Sequence, residues 1–204
     1  MTGEAADPAF VRLLSEVRAC TACDDLPLGP RPLMRGAAGA RLLVISQALG
    51  TAAHETGLSF NDPSGDRLRD WLGIGRETFY DEARIAIMPM GFCYPGRLPR
   101  GGDRPPRPEC APLWHDRLRA GLTGVRLTLL VGSYAIRHYL PGARRQTMTE
   151  AVRGWRGHLP EIVPTPHPSW RTMAWQRDNP WFAVELLPEL RRLVRAAVLT
   201  ADSK

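Results

Sequence analysis

The chain has 204 residues and a formal net charge of +6, a length that favours one domain spanning residues 1–204 with ample chain to bury a core. No apolar run approaches the roughly 20 residues that a membrane span needs. The opening MTGEAADPAF has neither a basic n-region nor an apolar h-region, so a cytoplasmic protein is expected. The 27 Lys plus Arg residues include a single lysine, Lys204. Arginine presents planar, bidentate donors to phosphate, so an arginine-only positive surface suits an anionic partner, although a GC-rich genome also favours arginine over lysine.

In chain order, Phe10 to Val17 has apolar residues at helical spacing and ends at Cys20-Thr-Ala-Cys23. Asp24 to Gly39 is a Pro- and Gly-rich loop. Leu42 to Ile45 forms a short apolar run of the kind buried on both faces of a parallel sheet. Ser46 to Pro63 follows as a polar loop carrying Gln47, His54, Glu55, Phe60, Asn61 and Asp62. At the carboxyl end of a parallel strand, such a loop is expected to floor a ligand pocket. Ser64 is expected to cap a helix running through Trp71 and Leu72.

A second strand is expected over Ile85 to Met90, and Gly96 to Pro108 reads as an exposed, irregular basic loop with Arg97, Arg100, Arg104 and Arg107. Cys110 opens a helical stretch. Leu127 to Val131 is a third strand leading to a helix over Ser133 to Leu140, and a short helix follows at Thr147 to Trp155. A fourth strand at Ile162 to Thr165 delivers Pro166-His167-Pro168-Ser169-Trp170-Arg171. Asn179 to Leu199 has a helical apolar face that Pro188 should kink or split. Strands alternating with helices imply a three-layer α/β/α sandwich around a central, mainly parallel sheet of about four strands.

The four cysteines, Cys20, Cys23, Cys93 and Cys110, all fall at element ends. In a reducing cytosol such a set argues for a metal or cluster in preference to disulfides. Zinc and iron–sulfur clusters both accept four thiolates, and spacing alone leaves both open.

Taken together, these residues resemble the uracil-DNA glycosylase superfamily, specifically its iron–sulfur, four-cysteine branch. The resemblance rests on the N-terminal C-x-x-C; on Ser46-Gln-Ala-Leu-Gly50, similar to a G-[EQ]-x-P-G water-activating motif; on Gly57 and Phe60 in a G-x-x-F element; on Cys93 and Cys110; and on His167-Pro168-Ser169 in an H-P-S motif. It implies a DNA glycosylase that flips and hydrolytically excises uracil or another deaminated or damaged base, and a structural [4Fe-4S] cluster on Cys20, Cys23, Cys93 and Cys110, with zinc as the alternative. A monomer acting on damaged DNA is expected, nucleoid-associated when bound. The chain departs from the family pattern at Ser46 and Leu49. It also has Pro89 where members that read uracil through a side-chain amide carry Asn. The base is therefore expected to be read by backbone groups such as those of Met88 to Gly91, or to be one other than uracil, with Ala48 and Met90 among the substrate-binding residues. The loop from Arg97 to Arg107 has no histidine, so no crosslink to DNA is expected.

Hydrolysis of an N-glycosidic bond needs a polarised water, a donor to the leaving base and a grip on the extruded nucleotide. His167 is expected to donate to the base and Phe60 to stack on it. Gln47 occupies the usual place of the water-activating residue, but an amide can only orient water. Asp62, resembling an aspartate that some iron–sulfur members use, is the better base, with His54 and Glu55 as further candidates. Ser169, Trp170 and Arg171 are expected to enter the minor groove, Trp170 as a wedge and Arg171 on phosphate, while Arg97 and Arg100 add basic contacts. Two competing readings are a DNA-binding member without hydrolytic activity and a nucleotide-handling α/β hydrolase with a zinc knot.

Overall fold

A computed structural model describes residues 7–199 of the chain. The apolar runs become four strands: β1 (Leu42–Ala48), β2 (Ile85–Gly91), β3 (Leu127–Val131) and β4 (Ile162–Thr165). They form one sheet in the order β2-β1-β3-β4, with every pairing parallel. Leu42 stands beside Ile85 on one side and Leu127 on the other, and Thr128 beside Ile162. Every residue of β2 and the first five of β1 are buried, as expected of parallel strands covered on both faces.

The helices are α1 (Pro8–Arg18), α2 (Thr51–Thr56), α3 (Pro63–Leu72), α4 (Arg76–Tyr80), α5 (Asp116–Gly121), α6 (Ser133–Tyr139), α7 (Met148–Arg153), α8 (Thr172–Asp178) and α9 (Leu187–Val194). Helix α6 packs on β1 and β3, α1 on α5, and α3 on α9. The ring of Trp71 meets Phe182 edge-on at 4.9 Å, a geometry that aromatic quadrupoles favour. The result is the α/β sandwich around a four-stranded parallel sheet that the strand and helix alternation implies.

Several local expectations are corrected. Strand β1 continues through Gln47 to Ala48, which pairs with Gly91, so the start of the presumed loop is strand. The rest of it holds α2, which Gly57 ends in a left-handed conformation at φ 70°. Helix α3 starts two residues earlier than expected, with Asp62 in place of Ser64 as its cap: the Asp62 side chain accepts from the Gly65 N–H at 2.9 Å, and Pro63 opens the helix. Gly96 to Pro108 is not irregular throughout, because Arg97 and Asp103 pair as an antiparallel bridge around a turn closed by Leu98 and Gly102. The final helical stretch is divided, as Pro188 suggests. A π-helical segment, Phe182–Leu186, precedes α9, and a second, Arg195–Leu199, follows it.

Candidate functional site

In the order β2-β1-β3-β4, the chain leaves β1 toward opposite sides of the sheet, so the carboxyl ends of β1 and β3 mark a topological switch point, where open α/β sheets hold their ligands. A cavity of about 300 Å³ lies there, at the small end of the range for ligand pockets. Its walls come from the end of β1 (Ser46, Gln47, Ala48), the segment before α3 (Phe60, Asn61, Asp62), the loop after β4 (His167, Ser169, Arg171) and the hairpin residues Gly102 and Asp103.

His167 enters from β4, and Gly132 makes the space for it. Gly132 follows β3 at φ 87°, and a Cβ there would sit 3.3 Å from the His167 Cβ. The loop beyond is pinned on both sides. The Ser169 N–H donates to the His167 carbonyl at 2.8 Å, the Thr172 hydroxyl donates to the same carbonyl, and Arg67 of α3 donates to the Pro168 carbonyl at 2.6 Å. Burial pushes the His167 pKa down to about 4, against the opposing pull of the Asp62 carboxylate. The imidazole is therefore neutral near pH 7 and able to donate one N–H.

Phe60 has a left-handed backbone at φ 59°, uncommon for a residue with a side chain. The strain is held in place by its own carbonyl, which accepts from the Tyr80 hydroxyl at 2.9 Å and from Arg69 at 3.2 Å. The ring meets Phe79 edge-on at 5.9 Å. A Cβ on Gly65 would lie 1.7 Å from the Phe60 carbonyl oxygen, so only glycine lets α3 approach this turn. Strain of this kind, maintained by surrounding contacts, is characteristic of ligand-holding segments.

The cavity thus gathers Gln47, Ala48, Phe60, Asp62, His167, Ser169 and Arg171. The other expected site residues lie elsewhere. His54 sits on α2 with its ring 6.1 Å from Tyr94, and Arg31 binds its carbonyl and that of Glu55. Met90 lines a separate surface groove with Tyr134 and Arg137. Trp170 stands at the rim, 71% exposed, with the Arg171 guanidinium 5.3 Å from its ring centre. Arg97 and Arg100 are exposed on the hairpin. Arg107, grouped with them in the sequence, instead pairs with Asp25 at 2.9 Å and Glu109 at 3.3 Å beside the cysteines. Asp103, absent from the sequence-derived candidates, lines the cavity: burial raises its pKa above the ordinary aspartate value, Arg97 lowers it and Asp62 raises it.

The four cysteines, remote in sequence, line one small, almost wholly apolar pocket with Phe92 and Trp114. Burial pushes the Cys110 thiol up to about 11, and Cys23, Cys93 and Cys20 push in the same direction. All four are free of disulfides. Among the described residues, no three His, Cys, Asp or Glu side chains form a group that could hold a metal ion. The donor set, three buried thiols and the half-buried Cys20 around one pocket, is of the kind that thiolate-ligated groups use.

A parallel sheet with a polar cavity at its switch point, combining a neutral imidazole, carboxylates and an aromatic ring, defines an α/β protein with a candidate ligand site at the strands' carboxyl ends. A family model described as the uracil DNA glycosylase superfamily matches residues 33–191, and the chain belongs to that superfamily. The match runs from before β1 into α9 and includes Cys93 and Cys110, with Cys20 and Cys23 preceding it. The family acts on DNA, and membership supports a function of the DNA glycosylase type. Among the described residues, no helix is long and apolar enough to cross a membrane.

Proposed function

We propose that this chain is a hydrolytic DNA glycosylase that extrudes a deaminated or damaged base into the switch-point cavity and cleaves its N-glycosidic bond. The observation that carries the reading is the convergence of Phe60, Asp62 and a neutral His167 on one cavity. The flipped base stacks on Phe60, and the His167 N–H donates to a base oxygen. As the C1′–N bond breaks, its electron pair leaves with the base, and the charge that develops on the base is met by that donor. Water oriented by Gln47 attacks C1′ and yields its proton to a carboxylate of the cavity. Trp170 fills the gap left in the stack, and Arg171 holds a phosphate.

Cys20, Cys23, Cys93 and Cys110 would hold a [4Fe-4S] cluster, which supplies structural cross-linking and takes no part in the reaction. The resemblance to the iron–sulfur branch, carried by the C-x-x-C and the two later cysteines, favours a cluster over zinc.

A reading without hydrolysis is favoured by one observation: Asp62 already uses one oxygen to cap α3. Incubation of the purified protein with oligonucleotides bearing uracil, hypoxanthine or xanthine separates the two. Release of one of these bases, with an abasic site left behind, is the expected result; DNA binding with no base released from any substrate leaves the binding reading.

A further inference from the structure

Gln47 cannot accept a proton from water, and Asp62 has one oxygen committed to the Gly65 N–H. A third group reaches the same cavity from a part of the chain that composition marks only as basic. The hairpin closed by the Arg97–Asp103 bridge folds back so that Asp103 Oδ2 lies 3.6 Å from where a Cβ of Gly50 would stand. Gly50 follows the Ser46-Gln47-Ala48 end of β1 and caps α2, so the carboxylate hangs directly over the segment where the first motif lacks an acid. Two consecutive glycines at the hairpin tip, Gly101 and Gly102, both at φ 87°, make this return possible, and a Cβ on Gly102 would come within 3.9 Å of the Arg171 guanidinium. The tip is thereby set against the loop that carries His167.

Resting on the glycosylase reading above, we propose that Asp103 is the catalytic base, placed over Gly50 by the hairpin to take the proton of the attacking water, while Asp62 serves chiefly as the α3 cap and charge partner of His167. The water oxygen bonds to C1′ as the C1′–N bond breaks. One water proton passes to Asp103, and the bonding pair departs with the base. Asp103 then returns its proton to the base or to solvent, leaving free base and an abasic site. Among the described residues, no hydrogen bond or ion pair engages the Asp103 carboxylate, so both oxygens are available to water. Burial and the nearby Asp62 charge raise its proton affinity, the direction that suits a base working near neutral pH.

The test uses the full chain and whichever oligonucleotide it cleaves, under single-turnover conditions across pH. Asp103→Asn is expected to slow base release by about 10²-fold or more, to keep the wild-type DNA affinity, and to lose the carboxylate-dependent acid limb of the pH–rate profile. Asp103→Ala should regain activity with added formate, which a purely structural role would not allow. If Asp103→Asn keeps both the rate and the acid limb while Asp62→Asn loses them, Asp103 is not the base and the glycosylase reading survives. If the wild-type chain releases no base from any substrate, both fall.

Discussion

Gly132 and His167 are in direct apposition: a Cβ on residue 132 would stand 3.3 Å from the His167 Cβ and 3.8 Å from its Cδ2, and the Gly132 backbone is left-handed at φ 87°. The glycine between β3 and α6 thus serves two ends, turning the chain sharply into the helix and leaving space for the imidazole in the next loop. Gly132→Ala adds conformational strain and crowds the ring. It should destabilise the chain by about 1 kcal/mol and slow base release by on the order of 10²-fold, the scale of a displacement near 1 Å at a reacting group. DNA affinity should be nearly unchanged. Single-turnover rates beside a urea unfolding curve check this, and a variant that turns over normally would show that the ring has room to spare.

Arg69 holds the other wall. Its side chain is 7% exposed, pairs with Asp66 at 2.6 Å, donates to the Phe60 carbonyl at 3.2 Å, and lies 5.4 Å from the Phe79 ring centre. Asp66 is 77% exposed, so removing the arginine leaves no buried carboxylate behind and the cost stays below that of a broken buried pair. Arg69→Met should cost about 1–3 kcal/mol, the scale for losing hydrogen bonds to a charged group. It should also release Phe60 from its left-handed conformation, raising KM for the damaged strand more than it lowers kcat. A KM unchanged from wild type would mean that Tyr80 alone fixes the Phe60 carbonyl.

The sheet was legible because parallel strands covered on both faces must be apolar almost throughout, and Leu42 to Ile45, Ile85 to Met90, Leu127 to Val131 and Ile162 to Thr165 read that way directly. His167, Asp62 and Phe60 were legible from motif order. Helix α2 was not: it has six residues, TAAHET, with no amphipathic stripe, and Arg31 holds its last carbonyls from a distant loop. The α3 cap was misplaced by two residues because Ser64 and Asp62 are both good caps; Pro63, suited to a first helical position, was the overlooked signal. Met90 was expected to meet the base through its backbone; its side chain lines the groove beside α6, and motif order carries no signal for where alternate strand side chains face. Asp103 carried no local signal at all. Its neighbours are arginines, glycines and prolines, and only the three-dimensional return of the hairpin sets it over Gly50.

Acid should destabilise the fold before ordinary carboxylates protonate. Burial pushes both His115 and His167 down to about 4, and His115 is further lowered by His138. An unfolded histidine titrates near 6.5, so between these values the unfolded chain binds more protons than the folded one. The stability contributed by the two neutral imidazoles is complete above about pH 6.5, falls as pH drops through this window, and is lost by about pH 4. Urea midpoints measured from pH 7 down to pH 5 should fall steadily, and His167→Asn should flatten part of the slope. Midpoints that hold level over that range would place both imidazoles in better-solvated surroundings.

The cysteine pocket joins three remote pieces of chain: Cys20 and Cys23 after α1, Cys93 just beyond β2, and Cys110 at the entry to the helical segment Ala111–His115. A group bound by all four thiolates closes long loops and couples α1 to the end of the sheet, so its loss loosens a part of the fold that carries no reacting group. Cys93→Ser removes one of the four proposed ligands and should abolish the visible absorbance and the iron content of the purified chain. It should also lower Tm by about 5–10 °C, corresponding to a few kcal/mol for a chain of this size. Because none of these thiols lines the switch-point cavity, base release per folded molecule at low temperature should fall far less than in Asp103→Asn. Metal analysis decides the identity of the group: iron and inorganic sulfide in comparable amounts support the cluster, whereas one equivalent of zinc in a colourless wild-type protein would assign these four ligands to a single ion.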